Sequence, residues 1–178
     1  MRFLWTSLLS LFALALAGAG VVAQGEASPT PDPATAVDMP AVDFIDESGN
    51  PLATFTVTHV ERDWQTSEQF FAPQPGNEYV RVTVSVESRV ARGSTTIDPY
   101  QFLLQDVDGF VSQAVVIPSQ EALESGDFAA MSGILDLPGG ETGQISLVFE
   151  MLKGAELEAI YYTPDTYTRL LTIAEFDQ

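Results

Sequence analysis

From about Val42 onward, apolar residues recur at every second position in short runs separated by turn residues. The clearest run is "EYVRVTVSVES", residues 78–88. Val80, Val82, Val84 and Val86 fall on one face, and Tyr79, Arg81, Thr83 and Ser85 fall on the other. This alternation predicts a half-buried strand of an antiparallel sheet, because successive side chains of a strand point to opposite faces. "GQISLVFEM" repeats it with Ile145, Leu147 and Phe149 inward. "ATFTVTHVERDW" places Phe55 and Val57 on one face and then shifts phase to Val60, which predicts a bulge near Thr58 and His59. Further strands are expected at "QFLLQDV", "FVSQAVVI", "MSGILDL", "LEAIYY" and "TRLLTIAE", with a weaker one at "AVDFID". In "LEAIYY" the alternation sends one of Tyr161 and Tyr162 inward and the other outward. Eight or nine short strands with almost no helical periodicity predict an all-β, immunoglobulin-like antiparallel β-sandwich. Only "PSQEALESG", residues 118–126, reads as a short connecting helix.

Turn chemistry supports this arrangement. "ESGN" at 47–50 joins the first two strands, "PGN" at 75–77 opens the valine strand and "PGGETG" at 138–143 joins two strong ones. Asp108-Gly109 lies between two apolar runs, a pattern that predicts a hairpin with a type I′ turn. The same stretch, "DVDG", resembles part of a calcium loop. With Gly109 in the sixth place of an EF-hand, however, the first and last ligands would be Leu104 and Val115, and neither can coordinate calcium. The stretch is therefore read as a turn. A weaker calcium site built from Asp106, Asp108 and carboxylates of a neighbouring loop stays open as an alternative.

The N-terminal end follows a different pattern. "MRFLWTSLLSLFALALAGAGVVAQ" has one cation, Arg2, then an uncharged Leu/Ala-rich run, then Val21 and Ala23 at the small-residue positions of a signal-peptidase site. Residues 1–23 are read as a signal peptide, with an uncleaved signal anchor as the alternative, since the apolar run is long enough to span a bilayer. Residues 24–41, rich in Pro, Ala, Ser and Thr, are read as a disordered linker, and 42–178 as the sandwich domain. The expected location is outside the cell, secreted or held at its surface.

Composition narrows the chemistry. Cysteine is absent, so there is no disulfide, thiolate metal site or thiol nucleophile. The 25 acidic residues against 7 basic give a net charge of −18, which repels phosphates of nucleic acid and anionic lipid headgroups. Neither nucleic acid nor, after signal cleavage, a membrane is expected as a partner. The single histidine, His59, lies in a strand-like run and no Gly-x-Ser-x-Gly elbow accompanies it, which argues against a serine triad. Phosphate-cradling glycine motifs are also missing. No catalytic residue, cofactor or metal is assigned. A pair of carboxylates acting on a glycoside remains as an alternative, and nothing singles out the pair.

The connection "RDWQTSEQFFAPQPGN", residues 62–77, is long and carries Trp64, Phe70 and Phe71. Aromatic side chains on a loop at the end of a sandwich form a candidate surface for an extracellular protein or ligand. The competing expectation is that these rings fold back and cap the core.

The order "PGNEYVRVTVSVES", "FLLQDVDGFV", "LPGGETGQISLVFE" and "LEAIYYTP" resembles a family of bacterial exported immunoglobulin-like domains of unknown function, a group related to the mycobacterial immunoprotective extracellular protein. The resemblance covers roughly residues 50–163. The sequence departs from the family pattern at Glu87-Ser88, where an asparagine commonly closes the valine strand, and in lacking the lipoprotein cysteine. The resemblance implies an exported sandwich with no established catalytic residues. Together these readings predict a non-catalytic domain with a binding or structural role at the cell envelope. A calcium-dependent adhesion module and a carboxylate-based hydrolase are the alternatives.

Overall fold

The computed structural model describes residues 35–37, 39–66, 71–126, 131–164 and 169–176; the expected signal peptide lies outside them. Eleven strands are described: β1 (Thr35–Ala36), β2 (Val42–Ile45), β3 (Pro51–Glu61), β4 (Asn77–Ser88), β5 (Ser94–Ile97), β6 (Phe102–Asp106), β7 (Val111–Gln113), β8 (Leu135–Pro138), β9 (Thr142–Leu152), β10 (Leu157–Tyr162) and β11 (Leu171–Glu175). One sheet runs β1-β3-β4-β9, with β2 also on β3. The second runs β11-β10-β6-β7, and β5 and β8 form a separate ribbon. Every pairing is antiparallel. β4 and β9 pair over eleven residues, from Asn77 opposite Leu152 to Glu87 opposite Thr142, and form the backbone of the larger sheet.

The alternation read from the sequence decides which faces meet. Val80, Val82, Val84 and Val86 of β4 are buried beside Phe55 and Val57 of β3 and Ile145, Leu147 and Phe149 of β9. They join Phe102, Leu104, Ile160, Tyr162 and Ile173 of the second sheet in one core cluster. Full burial of each such side chain contributes about 1.5–3 kcal/mol, so this cluster is the main source of stability. Phe55 lies edge-on to Phe102 at a centroid distance of 5.9 Å, and Tyr162 stacks against both at 4.9 and 5.0 Å. The Tyr162 hydroxyl donates to Gln101 Oε1 at 2.9 Å, which satisfies the one polar atom the ring brings inward. Tyr161 is half-buried on the opposite face.

The bulge falls where the phase shift places it. Val57 pairs with Val84 and His59 with Thr83, leaving Thr58 as the extra residue, and its hydroxyl donates to Thr83 O at 3.2 Å. The expected helix is α1 (Gln120–Ser125), capped by the Ser119 side chain at Ala122 N and ended by Gly126 in the left-handed region.

Three expectations are corrected. The Asp108-Gly109 turn is not type I′: Gly109 has φ +84°, but among the described non-glycine residues only Asp63 has positive φ. Gly109 N donates to Asp106 O at 3.0 Å and Asp106 N to Phe110 O at 3.0 Å, so Val107, Asp108 and Gly109 form a three-residue loop with glycine at the left-handed position. "FVSQAVVI" pairs as a strand only over β7 before crossing to β9, where Val115 bridges Val148. "MSGILDL" pairs only from Leu135, as β8, because Met131 and Ser132 are helical. Upstream of Val42, Thr35 and Ala36 pair with Val60 and His59, and Val37 and Met39 pack on the core.

Candidate functional site

β3 ends at Glu61, and the next residue ties three connections together. Arg62 donates through Nε at 3.1 Å and through Nη2 to Glu78 Oε1, and through Nη1 at 2.7 Å to Ala155 O. The same Glu78 oxygen accepts Gly154 N at 3.0 Å. Glu78 is only 4% exposed. Burial pushes its carboxyl up, but the Arg62 guanidinium and the Gly154 N–H together outweigh burial and hold it below its ordinary value. Lys153 N donates to Gly76 O at 3.0 Å, and Val107 N donates to Glu156 O at 3.1 Å. The β3–β4 connection, the β6–β7 hairpin and the β9–β10 turn therefore share one end of the sandwich and are hydrogen-bonded into one support.

On that end Trp64 lies back on the larger sheet. Its backbone N–H donates to Tyr79 O at 2.9 Å, its ring is 6.3 Å from the Tyr79 ring, and the Arg81 guanidinium sits 5.5 Å from its centroid. Arg81 is in turn ion-paired with Glu61. Tyr79 points to the outer face by alternation yet is buried, and Trp64 supplies part of its cover. Burial, then the charge of Glu150, pushes the Tyr79 phenol up. Glu150 Oε1 accepts Gln74 N at 2.7 Å and Asn77 Nδ2 at 2.8 Å, fixing the far end of the same connection. Trp64 and Phe71 are each half-buried, and Phe70 lies outside the described residues. Trp64 therefore packs on Tyr79 while keeping part of its surface exposed.

The most exposed aromatic side chain among the described residues is elsewhere on this end. Phe110 is 65% exposed, Leu152 57% and Val111 53%. All three line one shallow depression of about 350 Å³, completed by Asn77, Ser112 and Glu150. Asp106, 2% exposed, positions the hairpin: its Oδ1 accepts Phe110 N at 2.9 Å. From sequence, Phe110 and Val111 read as ordinary strand residues. The available signal is that two consecutive apolar residues after a tight turn cannot both face inward. Leu152 carries no such signal, since its place beside Phe110 depends on β9 meeting the hairpin.

One oxygen of the Asp106 carboxylate is engaged by its own hairpin, and among the described residues no three acidic or histidine side chains converge to hold a metal ion. Among the described residues two carboxyls, Asp46 and Glu78, have shifted ionisation, and both move down, opposite to the direction a general acid needs. Asp46 is lowered by its bonds to Asn50, first from the side chain and then from the backbone. His59 is exposed on β3, next to the bulge. A larger groove of about 760 Å³ runs along the other flank, lined by Val37, Met39 and Val42 on one side and Thr172, Ile173 and Phe176 on the other, with Glu175 the one ionisable residue among the described lining. It gathers no converging polar groups, so it does not displace the loop end as the candidate. No helix among the described residues is long and apolar enough to cross a membrane.

The chain is similar in shape to three solved structures. They are MPT63, a secreted protein of Mycobacterium tuberculosis (17% identity, TM-score 0.45, 76% of this chain and 92% of that one), a conserved hypothetical protein of Bacillus anthracis (17%, 0.48, 82% and 99%) and a candidate lipoprotein, ycdA, of Bacillus subtilis (14%, 0.47, 71% and 38%). No curated protein sequence matches it. The model of a domain of unknown function, DUF4352, matches residues 47–169, more than half of the chain, and the chain belongs to that family.

Proposed function

We propose that this DUF4352 member is an exported, non-catalytic binding module that engages a protein partner at the cell envelope through the sandwich end carrying Phe110, Val111 and Leu152. The observation that carries this reading is the grouping of these three exposed apolar side chains around one depression. Leaving them in water costs about 25 cal/mol per Å² of apolar surface, and they contribute little to the core. Their support supplies a second argument. The hairpin is pinned at Asp106 and Glu156, and the neighbouring turn at Glu78 and Gly76, so a partner would find the patch already ordered. Export rests on the leader-like residues 1–23.

Two measurements test the reading. In urea unfolding, Phe110→Ser with Leu152→Ser is expected to keep the wild-type stability within about 0.5 kcal/mol, as exposed positions do. A loss well beyond that makes the patch part of the fold and removes the argument for binding. A photo-crosslinking residue at position 110 in the host bacterium is expected to give a discrete adduct that the same residue at position 92 does not. Identical patterns from the two positions would refute the proposal.

A further inference from the structure

Resting on that reading, we infer that the partner is a basic protein segment with apolar side chains interleaved among its cations. The basis is the charge left uncompensated around the patch. Among the described residues of this end, three cations are each paired within the chain: Arg62 with the buried Glu78, Arg81 with the largely covered Glu61, and Lys153, loosely, with the partly exposed Asp63 at 3.7 Å. Of the acidic groups around the apolar cluster, Asp106 and Glu150 line the depression and are bonded within the chain, whereas Asp108 and Glu156 are exposed. Asp108 sits exposed within the hairpin loop two residues before Phe110, and Glu156 is exposed where its carbonyl holds Val107 N. A partner reaching Phe110 and Leu152 therefore meets the exposed carboxylates of Asp108 and Glu156, with the one neighbouring cation, Lys153, drawn toward Asp63, in the field of a chain with net charge −18.

The same charge decides between occupants. A second copy joined through this end would bring its own Asp108 and Glu156 against these, and like-charge juxtaposition opposes association. Anionic lipid is repelled for the same reason. The patch is also small: three or four side chains fall short of the roughly 800 Å² per partner of a standard stable interface. A short segment that is steered by charge and seated by a few apolar contacts fits what is present.

The test uses the full chain and a labelled short peptide of alternating leucine and lysine, with polylysine of equal charge as comparator, read by fluorescence anisotropy. The Leu/Lys peptide is expected to bind wild type at least about tenfold more tightly than the Phe110→Ser/Leu152→Ser variant, a difference of about 1.4 kcal/mol. Asp108→Asn with Glu156→Gln is expected to weaken binding several-fold at about 0.01 M salt and much less at about 0.1 M, where exposed charges beyond about 10 Å are screened. Equal binding to wild type and the serine variant overturns the inference. Polylysine binding as tightly as the Leu/Lys peptide also overturns it, because overall charge would then suffice. A dimer in sedimentation that the serine variant abolishes would assign the patch to a second copy instead. If the peptide fails while position 110 still yields its discrete adduct, the partner chemistry falls and the binding reading stands. If no adduct forms either, both fall.

Discussion

Glu78 shows how one inward-facing carboxylate can organise an end of the molecule. β4 alternation aims position 78 inward, where an apolar residue is expected, and the charge persists because Arg62 and Gly154 N meet it at a single oxygen. Replacing it by glutamine keeps the shape and removes the charge. Glu78→Gln is expected to cost about 2 kcal/mol in urea unfolding at pH 7, the scale of a hydrogen bond to a charged group, moderated because Arg62 is partly solvated. The pH dependence has a definite sign. The folded carboxyl is lowered from 4.5, so its contribution is fully present above that value and is lost as pH falls through the lower folded value. Wild type should therefore lose stability over that acidic window more steeply than the variant. Parallel curves would show that the Arg62 contact contributes nothing. Trp64 is the complementary case. Its aromatic character on a long connection makes it conspicuous in the sequence, whereas its contacts with Tyr79 and Arg81 depend on how far that connection folds back, which spacing does not encode.

At the scale of elements, the hairpin and the first strand make separate predictions. Gly109 has open space around an added Cβ, the nearest atom being Gln105 Nε2 at 4.0 Å, so any cost of substitution is backbone cost. Gly109→Val should lose about 1–2 kcal/mol, the penalty of the left-handed region for an L residue, and Gly109→Asn clearly less. Equal losses in thermal unfolding would mean that the loop changes type. Thr35 and Ala36 pair with the edge of β3 above β2. A chain beginning at Val42 is expected to melt a few degrees below one beginning at Thr35, since it also removes the half-buried Val37 and Met39. Identical melting temperatures would mean the pairing is idle. β4 and β9 are legible in the sequence because strong alternation over six or more residues admits one period, and the bulge in β3 is legible as a slip in that period. β1 is not: two residues within a Pro/Ala/Thr-rich stretch carry no pattern, and their pairing is a property of the free edge of β3. β5 escapes notice for a similar reason, since "STTI" has a single apolar residue and is ordered by pairing with β8. The Phe110–Leu152 cluster is illegible in the same sense, because it joins a hairpin to the end of a strand about forty positions away.

At the scale of the whole molecule, self-repulsion is expected to be the electrostatic influence on stability that salt reveals. Most of the chain's net charge of −18 belongs to the sandwich and spreads out on unfolding, so repulsion destabilises the compact state. Salt should relieve it: between about 0.01 and 0.1 M the screening length shrinks from about 30 to about 10 Å, below the span of a domain this size. The same screening weakens ion pairs, but Arg89–Glu87 and Lys153–Asp63 are exposed and worth under about 1 kcal/mol each. Glu78 and the partly covered Glu61 are screened much less than exposed groups, so their pairs should largely survive. Repulsion among the many outward carboxylates is therefore the component salt removes most effectively, and the melting temperature is expected to rise by a few degrees over that range. The measurement is reversible thermal unfolding at pH 7 in a buffer of low ionic strength with added sodium chloride. A flat or falling curve would mean that the ion pairs at the loop end outweigh the repulsion. The negative field would then be too weak to steer a basic partner to Phe110, and the salt dependence expected of the Leu/Lys peptide should vanish with it.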